Sequence, residues 1–122
     1  MPGEPCPVVL VVEDEPLLRM MAVDMVEDAG FTAVAAVDAD DAVRILETRS
    51  DIRIVFTDIE MPHGLEGMRL AAAIRSRWPP IELILTSGRR TEKDMELPPR
   101  SVFFPKPYRP SQVIETMWRM AA

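Results

Sequence analysis

Five short apolar runs, most of them closed by an acidic, hydroxyl or amine side chain, constrain this chain more than any other feature. Val8-Val9-Leu10-Val11-Val12 ends in Glu13-Asp14-Glu15, and residues 52–57 end in Asp58. Residues 81–85 end in Thr86-Ser87, and Val102-Phe103-Phe104 leads to Lys106-Pro107. Runs of this kind, without polar alternation, are what strands buried on both faces look like, and parallel sheets carry their chemistry at the carboxyl ends of the strands. Residues 32–36 form a fifth, weaker run without a comparable terminus, suited to a sheet edge.

Helical periodicity fills the gaps. Residues 16–29 read as a helix with Pro16 in its first turn and Gly30 just past its end. Asp38 can cap a second helix that places Ala42, Ile45 and Leu46 on one face. The loop Asp58-Ile59-Glu60-Met61-Pro62-His63-Gly64 leads to a third helix carrying Leu65, Met68, Ala72, Ile74 and Arg75, which Trp78-Pro79-Pro80 stops. A closing helix follows Pro110, with Val113, Ile114, Met117 and Trp118 available to pack inward. Between Ser87 and Ser101 the pattern fades, and Pro98-Pro99 prevent a helix from passing about Glu96, so a helix there is short or irregular. Strands alternating with helices imply right-handed crossovers and a parallel sheet covered on both faces.

At 122 residues the chain is one domain, residues 1–122, by length. No stretch nears the roughly 20 apolar residues of a membrane span, and no basic flank precedes the first apolar run, which argues against a signal peptide. The net charge of −6 argues against a grip on nucleic acid by this chain, because that affinity needs clustered Lys and Arg. The single cysteine, Cys6, excludes an internal disulfide and fits a reducing, cytoplasmic compartment. His63, the only histidine, reads as an exposed loop residue, and the nine methionines as adaptable packing.

Taken singly, each strand-end cluster is an ordinary cap or turn; their occurrence in order on the first, third, fourth and fifth runs is not. Glu13 and Asp14 offer oxygen ligands suited to a hard cation such as Mg²⁺. Asp58 could share that cation or attack phosphorus as a nucleophile. Lys106 can neutralise a phosphoryl group, the Thr86 hydroxyl can hydrogen-bond it, and backbone N–H groups around Ile59 and Ser87 can add more.

With those residues in view, the chain resembles the receiver domain of two-component response regulators. The resemblance rests on Val-Val-Glu-Asp-Glu-Pro at 11–16, Thr-Asp-Ile-Glu-Met-Pro at 57–62, Leu-Thr-Ser-Gly at 85–88 and Phe-Pro-Lys-Pro-Tyr at 104–108, and runs from about Pro7 to Met120. Thr86-Ser87-Gly88-Arg89 and the 104–108 wording are similar to receivers of alphaproteobacterial hybrid kinases and stand-alone regulators.

The resemblance implies a doubly wound α/β (βα)5 flavodoxin-like fold, its five-stranded parallel sheet ordered 2-1-3-4-5. It implies that Asp58 is the phosphoacceptor, loaded from a sensor histidine kinase or phosphotransfer protein, with chemistry confined to self-phosphorylation and autodephosphorylation. Asp14 and Asp58 would ligate Mg²⁺ with the backbone carbonyl of Glu60, and Glu13 would act through water. Lys106 would pair with Asp58 or its phosphoryl group, Thr86 would swing inward, and Phe103 would be the aromatic switch, here without the usual tyrosine hydroxyl. Output would run through a partner or output domain at the surface around strands four and five, a homodimer included; no nucleic acid bound by this chain itself and no membrane contact are expected.

Three other readings are open. Asp58-Ile59-Glu60 matches the acid pair of a Mg²⁺-dependent phosphatase with an aspartate nucleophile, although such enzymes place the nucleophile after their first strand. A metal-dependent nucleic-acid domain lacks the basic face it needs. A docking module that is never phosphorylated would have no use for the full set Glu13, Asp14, Asp58, Thr86 and Lys106. Glu60 adds a negative side chain beside the phosphoryl group and is expected to affect its hydrolysis.

Overall fold

Val8–Val12 (β1) is buried along its whole length, and its alternate side chains feed two separate cores. The computed structural model describes residues 6–60, 66–89 and 96–122, with the side chain of Glu66 excepted. After β1 come α1 (Pro16–Asp28), β2 (Thr32–Ala36), α2 (Ala39–Thr48), β3 (Ile52–Asp58), α3 (Glu66–Arg77), β4 (Glu82–Ser87), β5 (Ser101–Pro105) and α4 (Pro110–Ala121). All strand pairs are parallel and the order is β2-β1-β3-β4-β5, the flavodoxin-like arrangement. Val8, Leu10 and Val12 join α2 and α3 residues such as Leu46, Leu70 and Ile74 in one core. Val9 and Val11 meet Ala22 and Val26 of α1 and Val113 and Met117 of α4 in the other. Each fully buried Val, Leu or Ile contributes roughly 1.5–3 kcal/mol, so the strands stay where both faces can be covered.

Register sets the site. Val12 pairs with Thr57, Asp58 with Thr86, and Ser87 with Pro105, so the residues that follow β1, β3, β4 and β5 emerge along one carboxyl edge. The strands run slightly past the apolar runs. β3 takes in Asp58, β4 spans Glu82–Ser87 and β5 spans Ser101–Pro105, because ladder bonds continue from Ile59 N–H to the Thr86 carbonyl (3.0 Å) and from Lys106 N–H to the Ser87 carbonyl (2.8 Å).

Helix ends follow the local chemistry. Glu15 caps α1 through the Leu18 N–H (2.8 Å), with Pro16 at the first helical position. The helix closes at Asp28, and Gly30 takes φ +99°, where a side chain would also crowd the Trp118 ring. Asp38 caps α2 through the Asp41 N–H (2.8 Å). Trp118, expected to pack inward, is instead 44% exposed. The inward face of α4 runs through Val113, Thr116 and Met117 and on to Met120 and Ala121, and Trp118 falls to one side of it, against the Phe31 ring (centroids 4.3 Å apart) and beside Gly30. The helix expected between β4 and β5 falls mostly on residues 90–95, and His63 and Leu65 on residues 61–65; both stretches lie outside the described residues. Residues 96–98 have no regular structure, with Leu97 packed on the α2/α3 core.

Candidate functional site

Asp58 stands at the end of β3, 8% exposed, with both carboxylate oxygens engaged. Lys106 Nζ donates to Oδ2 at 2.6 Å and the Glu60 N–H donates to Oδ1 at 2.8 Å. The Ile59 N–H, one of the donors expected for a phosphoryl group, is held by the Thr86 carbonyl; the β3–β4 ladder continues past Asp58, so the available donor is one residue later. Glu13, also 8% exposed, follows β1, and its Oε2 accepts from the Glu15 N–H at 3.1 Å. Asp14 beside it is half-buried. Arg19 reaches back from the first turn of α1, its Nη1 donating to the Glu13 carbonyl (3.0 Å) and more distantly to that of Asp14 (3.4 Å).

The acids feel one another. Burial pushes the Glu13 carboxyl up to about 6, helped by a hydrogen bond with Asp14 and the negative charge of Asp58, against the Glu15 N–H and Lys106. Burial works against the Lys106 ammonium, but the hydrogen-bonded Asp58 carboxylate outweighs it and holds the amine above the ordinary lysine value. Burial also raises the Tyr108 phenol, whose neighbours include Lys106, Glu13 and Asp58. Glu13, Asp14, Asp58 and Lys106 therefore converge, and Thr86, 2% exposed, borders the same cavity as Glu13, Asp58 and Lys106.

Residues 9–116 match the family model of the response regulator receiver domain. This chain belongs to that family. The receiver domain is 30% identical over 116 residues to the sensor kinase CckA of Brucella abortus, covering 92% of this chain but only 12% of that protein's length. In structure it resembles a response regulator receiver protein of Sinorhizobium medicae, with TM-score 0.85, 25% identity, and 94% of each chain covered. It shares the fold of the response regulator TrrA of Thermotoga maritima (TM-score 0.82, 22% identity, 93% of this chain and 97% of that one), a structure described as a complex with Mg²⁺-BeF. Among the described residues no helix is long and apolar enough to cross a membrane.

For a divalent cation, the receiver domain offers the right kind of donor. Glu13, Asp14 and Asp58 present hard oxygen donors of the kind such a cation takes, and Lys106 sets its ammonium against Asp58. Among the described residues no three acidic side chains stand at ligating spacing with Lys106 in place. Phe103 pairs with Leu85 across β4–β5 and is half-buried against the α2/α3 core.

Several working parts escape a reading of the sequence. The Glu60 carboxylate does not lie over Asp58. It turns to the end of β4, where Ser87 Oγ (2.5 Å), the Gly88 N–H (2.7 Å) and the Arg89 N–H (2.9 Å) all donate to Oε1. Gly67 of α3 faces the backbone of Ile59 so closely that a Cβ there would stand 2.2 Å from the Ile59 Cα. A cavity of about 500 Å³ opens from Asp58 between α1 and the β5–α4 join, walled by Leu18, Met21, Met25, Phe56 and Tyr108. The Arg19 contact also went unread: its guanidinium reaches back five and six residues to the carbonyls of Asp14 and Glu13.

Proposed function

We propose that this receiver domain, residues 1–122 acting as one module, is a cytoplasmic phosphoacceptor switch in a two-component phosphorelay. The observation that carries the reading is the 2.6 Å contact between Lys106 and Asp58 at the carboxyl edge of the parallel sheet, with Glu13 and Asp14 beside it. An Asp58 oxygen attacks the phosphorus of a phosphohistidine on a sensor histidine kinase or phosphotransfer protein; the P–N bond breaks, its electron pair stays on the imidazole, and an acyl phosphate forms. Mg²⁺, held by Asp14, Asp58 and the Glu60 carbonyl with Glu13 acting through water, would neutralise charge on the transferring group. Lys106 pairs with the Asp58 carboxylate and then moves its ammonium to the new phosphoryl oxygens.

On phosphorylation, Thr86 turns its hydroxyl to the phosphoryl group, and Phe103 on the neighbouring strand follows into the space released. A pre-existing equilibrium between two packings of the β4–β5 face shifts accordingly, and that face is what a partner, an output domain or a second copy reads. The exposed Leu17, Leu18, Met20 and Met21 on the first turns of α1, of which Leu18 and Met21 line the cavity at Asp58, suit the apolar face of a phosphodonor helix.

Labelling with radioactive acetyl phosphate and Mg²⁺ tests the reading. The wild-type chain incorporates phosphate and Asp58→Asn does not; label retained in the variant at the normal rate would remove Asp58 from its role. The phosphatase reading needs the second carboxylate free to protonate a leaving group, whereas Glu60 is occupied by Ser87, Gly88 and Arg89. Turnover of a small phosphomonoester is accordingly not expected.

A further inference from the structure

Glu60 grips both halves of the switch at once. Its N–H donates to Asp58 Oδ1 at 2.8 Å, while its side chain takes three donors from the segment that leaves β4, each within 2.9 Å of a single oxygen. A further weak tie runs from the exposed Arg89 guanidinium to Oε2 (3.7 Å). Three donors converging on one oxygen, with the Arg89 guanidinium behind the other, are the surroundings of a carboxylate acting as acceptor only. The same donors would suit any nearby anion: two successive backbone N–H groups and a hydroxyl converging on one point are a common anion-binding device. Lys106 lies close by, since a Cβ on Gly88 would be 3.9 Å from Glu60 Oε1 and equally far from Lys106 Cβ and Cδ.

We infer that the Glu60 carboxylate is a resident anion that competes with the phosphoryl group for the donors at the end of β4 and holds Ser87–Arg89 in the resting position until phosphorylation displaces it. The competition rests on the proposed role of Asp58; the resting hold does not. A phosphoryl group on Asp58 adds negative charge two residues from an ionised carboxylate, in a site where Lys106 already compensates more than one acid. The repulsion favours departure of Glu60, and the phosphoryl oxygens can take over its donors. Through this exchange the chemistry at Asp58 reaches the surface after β4 by a link separate from Thr86 and Phe103.

Amide exchange and chemical shifts of the whole chain test the resting hold without any phosphoryl group. In EDTA, the Gly88 and Arg89 amides of the wild type should exchange at least about tenfold more slowly than in Glu60→Ala, with Glu60→Gln in between because its carbonyl still accepts. The Lys106 amide, bonded to the Ser87 carbonyl, should stay protected in all three and shows that the variants are folded. Equal exchange of Gly88 and Arg89 in wild type and Glu60→Ala overturns the hold.

Titration with Mg²⁺ and beryllofluoride then tests the competition. Glu60→Gln should bind beryllofluoride at least about threefold more tightly than wild type, since a competitor has been weakened; a merely structural role for Glu60 would loosen binding instead. Unchanged or weaker binding overturns the competition. If beryllofluoride leaves every spectrum unchanged, wild type included, the role of Asp58 falls and the competition with it, while the exchange result still decides the resting hold.

Discussion

The Lys106 ammonium sits 2.6 Å from Asp58 Oδ2, with side-chain exposures of 30% and 9%, and its charge also bears on the Glu13 carboxyl. Removing it leaves clustered carboxylates without their counter-charge. Lys106→Met should therefore cost roughly 1–3 kcal/mol in EDTA, the usual range for stranding a partly buried charged partner. Millimolar Mg²⁺ should restore much of that loss, because the cation supplies the missing charge. Urea denaturation with and without Mg²⁺ measures both, and a variant insensitive to Mg²⁺ would contradict the assignment of these acids to a cation.

Glu13 gives a pH dependence with a definite sign. Its carboxyl titrates near 6 when folded against 4.5 as its ordinary value, so the native state binds the proton more tightly. Stability from this group is complete below about pH 4.5 and is lost as pH rises through 6. Relative to Glu13→Gln, the wild type should lose on the order of 1–2 kcal/mol between pH 4 and pH 7 in EDTA. Comparing the two proteins cancels the other carboxylates, and a difference independent of pH would show that Glu13 is not strained by its surroundings.

The sheet was legible because a strand covered on both faces needs no polar alternation, so the runs at β1, β3 and β4 announce themselves; Pro16, Gly30 and Asp38 mark helix ends for equally local reasons. The convergence of Asp58 and Lys106 was legible because parallel strands deliver their last residues to one edge. The Glu60 contact was not. It depends on the register that sets Asp58 beside Thr86, which places the side chain two residues on above Ser87–Arg89. Gly67 was silent for a similar reason, since a glycine early in a helix looks like a weak helix former until the approach of Ile59 is known. Trp118 misled because an apolar side chain suggested a face through Ile114 and Trp118, whereas the face that packs inward runs through Val113, Thr116, Met117 and Met120.

Gly67 should tolerate no side chain. A methyl group there would stand 2.2 Å from the Ile59 Cα and 2.7 Å from its carbonyl carbon, and backbone cannot yield as a flexible side chain can. Gly67→Ala should cost roughly 3 kcal/mol, the upper part of the usual overpacking range. Because Ile59 adjoins Asp58, the displaced backbone should also slow labelling by acetyl phosphate. Normal stability in this variant would mean that α3 can move away from the loop at little cost.

Arg75 holds the far end of the fold together. Its guanidinium donates to the carbonyls of Pro99 (2.6 Å), Pro79 (2.7 Å), Ile81 (2.9 Å) and Arg100 (3.3 Å), tying α3 to the approach to β5, where Arg100 is kept at φ +62°. Arg75→Ala should cost about 2 kcal/mol. Arg75→Lys should recover less than half of that, since an ammonium lacks the planar fork needed to reach several carbonyls together. Thermal unfolding of the two variants separates geometry from charge; equal stability of Lys and wild type would reduce Arg75 to a simple cation.

The first turns of α1 expose Leu17, Leu18, Met20 and Met21 at 57%, 44%, 57% and 57%, an apolar surface that the fold itself does not use. Leu18 and Met21 also wall the cavity that opens from Asp58. On the proposed role of Asp58, a protein phosphodonor would bring its histidine to that carboxylate past this surface, whereas acetyl phosphate would not need it. Leu18→Glu with Met21→Glu should lower the rate of phosphotransfer from a phosphohistidine protein by about tenfold or more, equivalent to about 1.4 kcal/mol of lost contact. Labelling by acetyl phosphate should change less than about twofold, because neither side chain belongs to either core and their replacement leaves both intact. An equal fall in both rates would mean that the substitutions act on Asp58 itself, and the apolar surface of α1 would then have no part in choosing the donor.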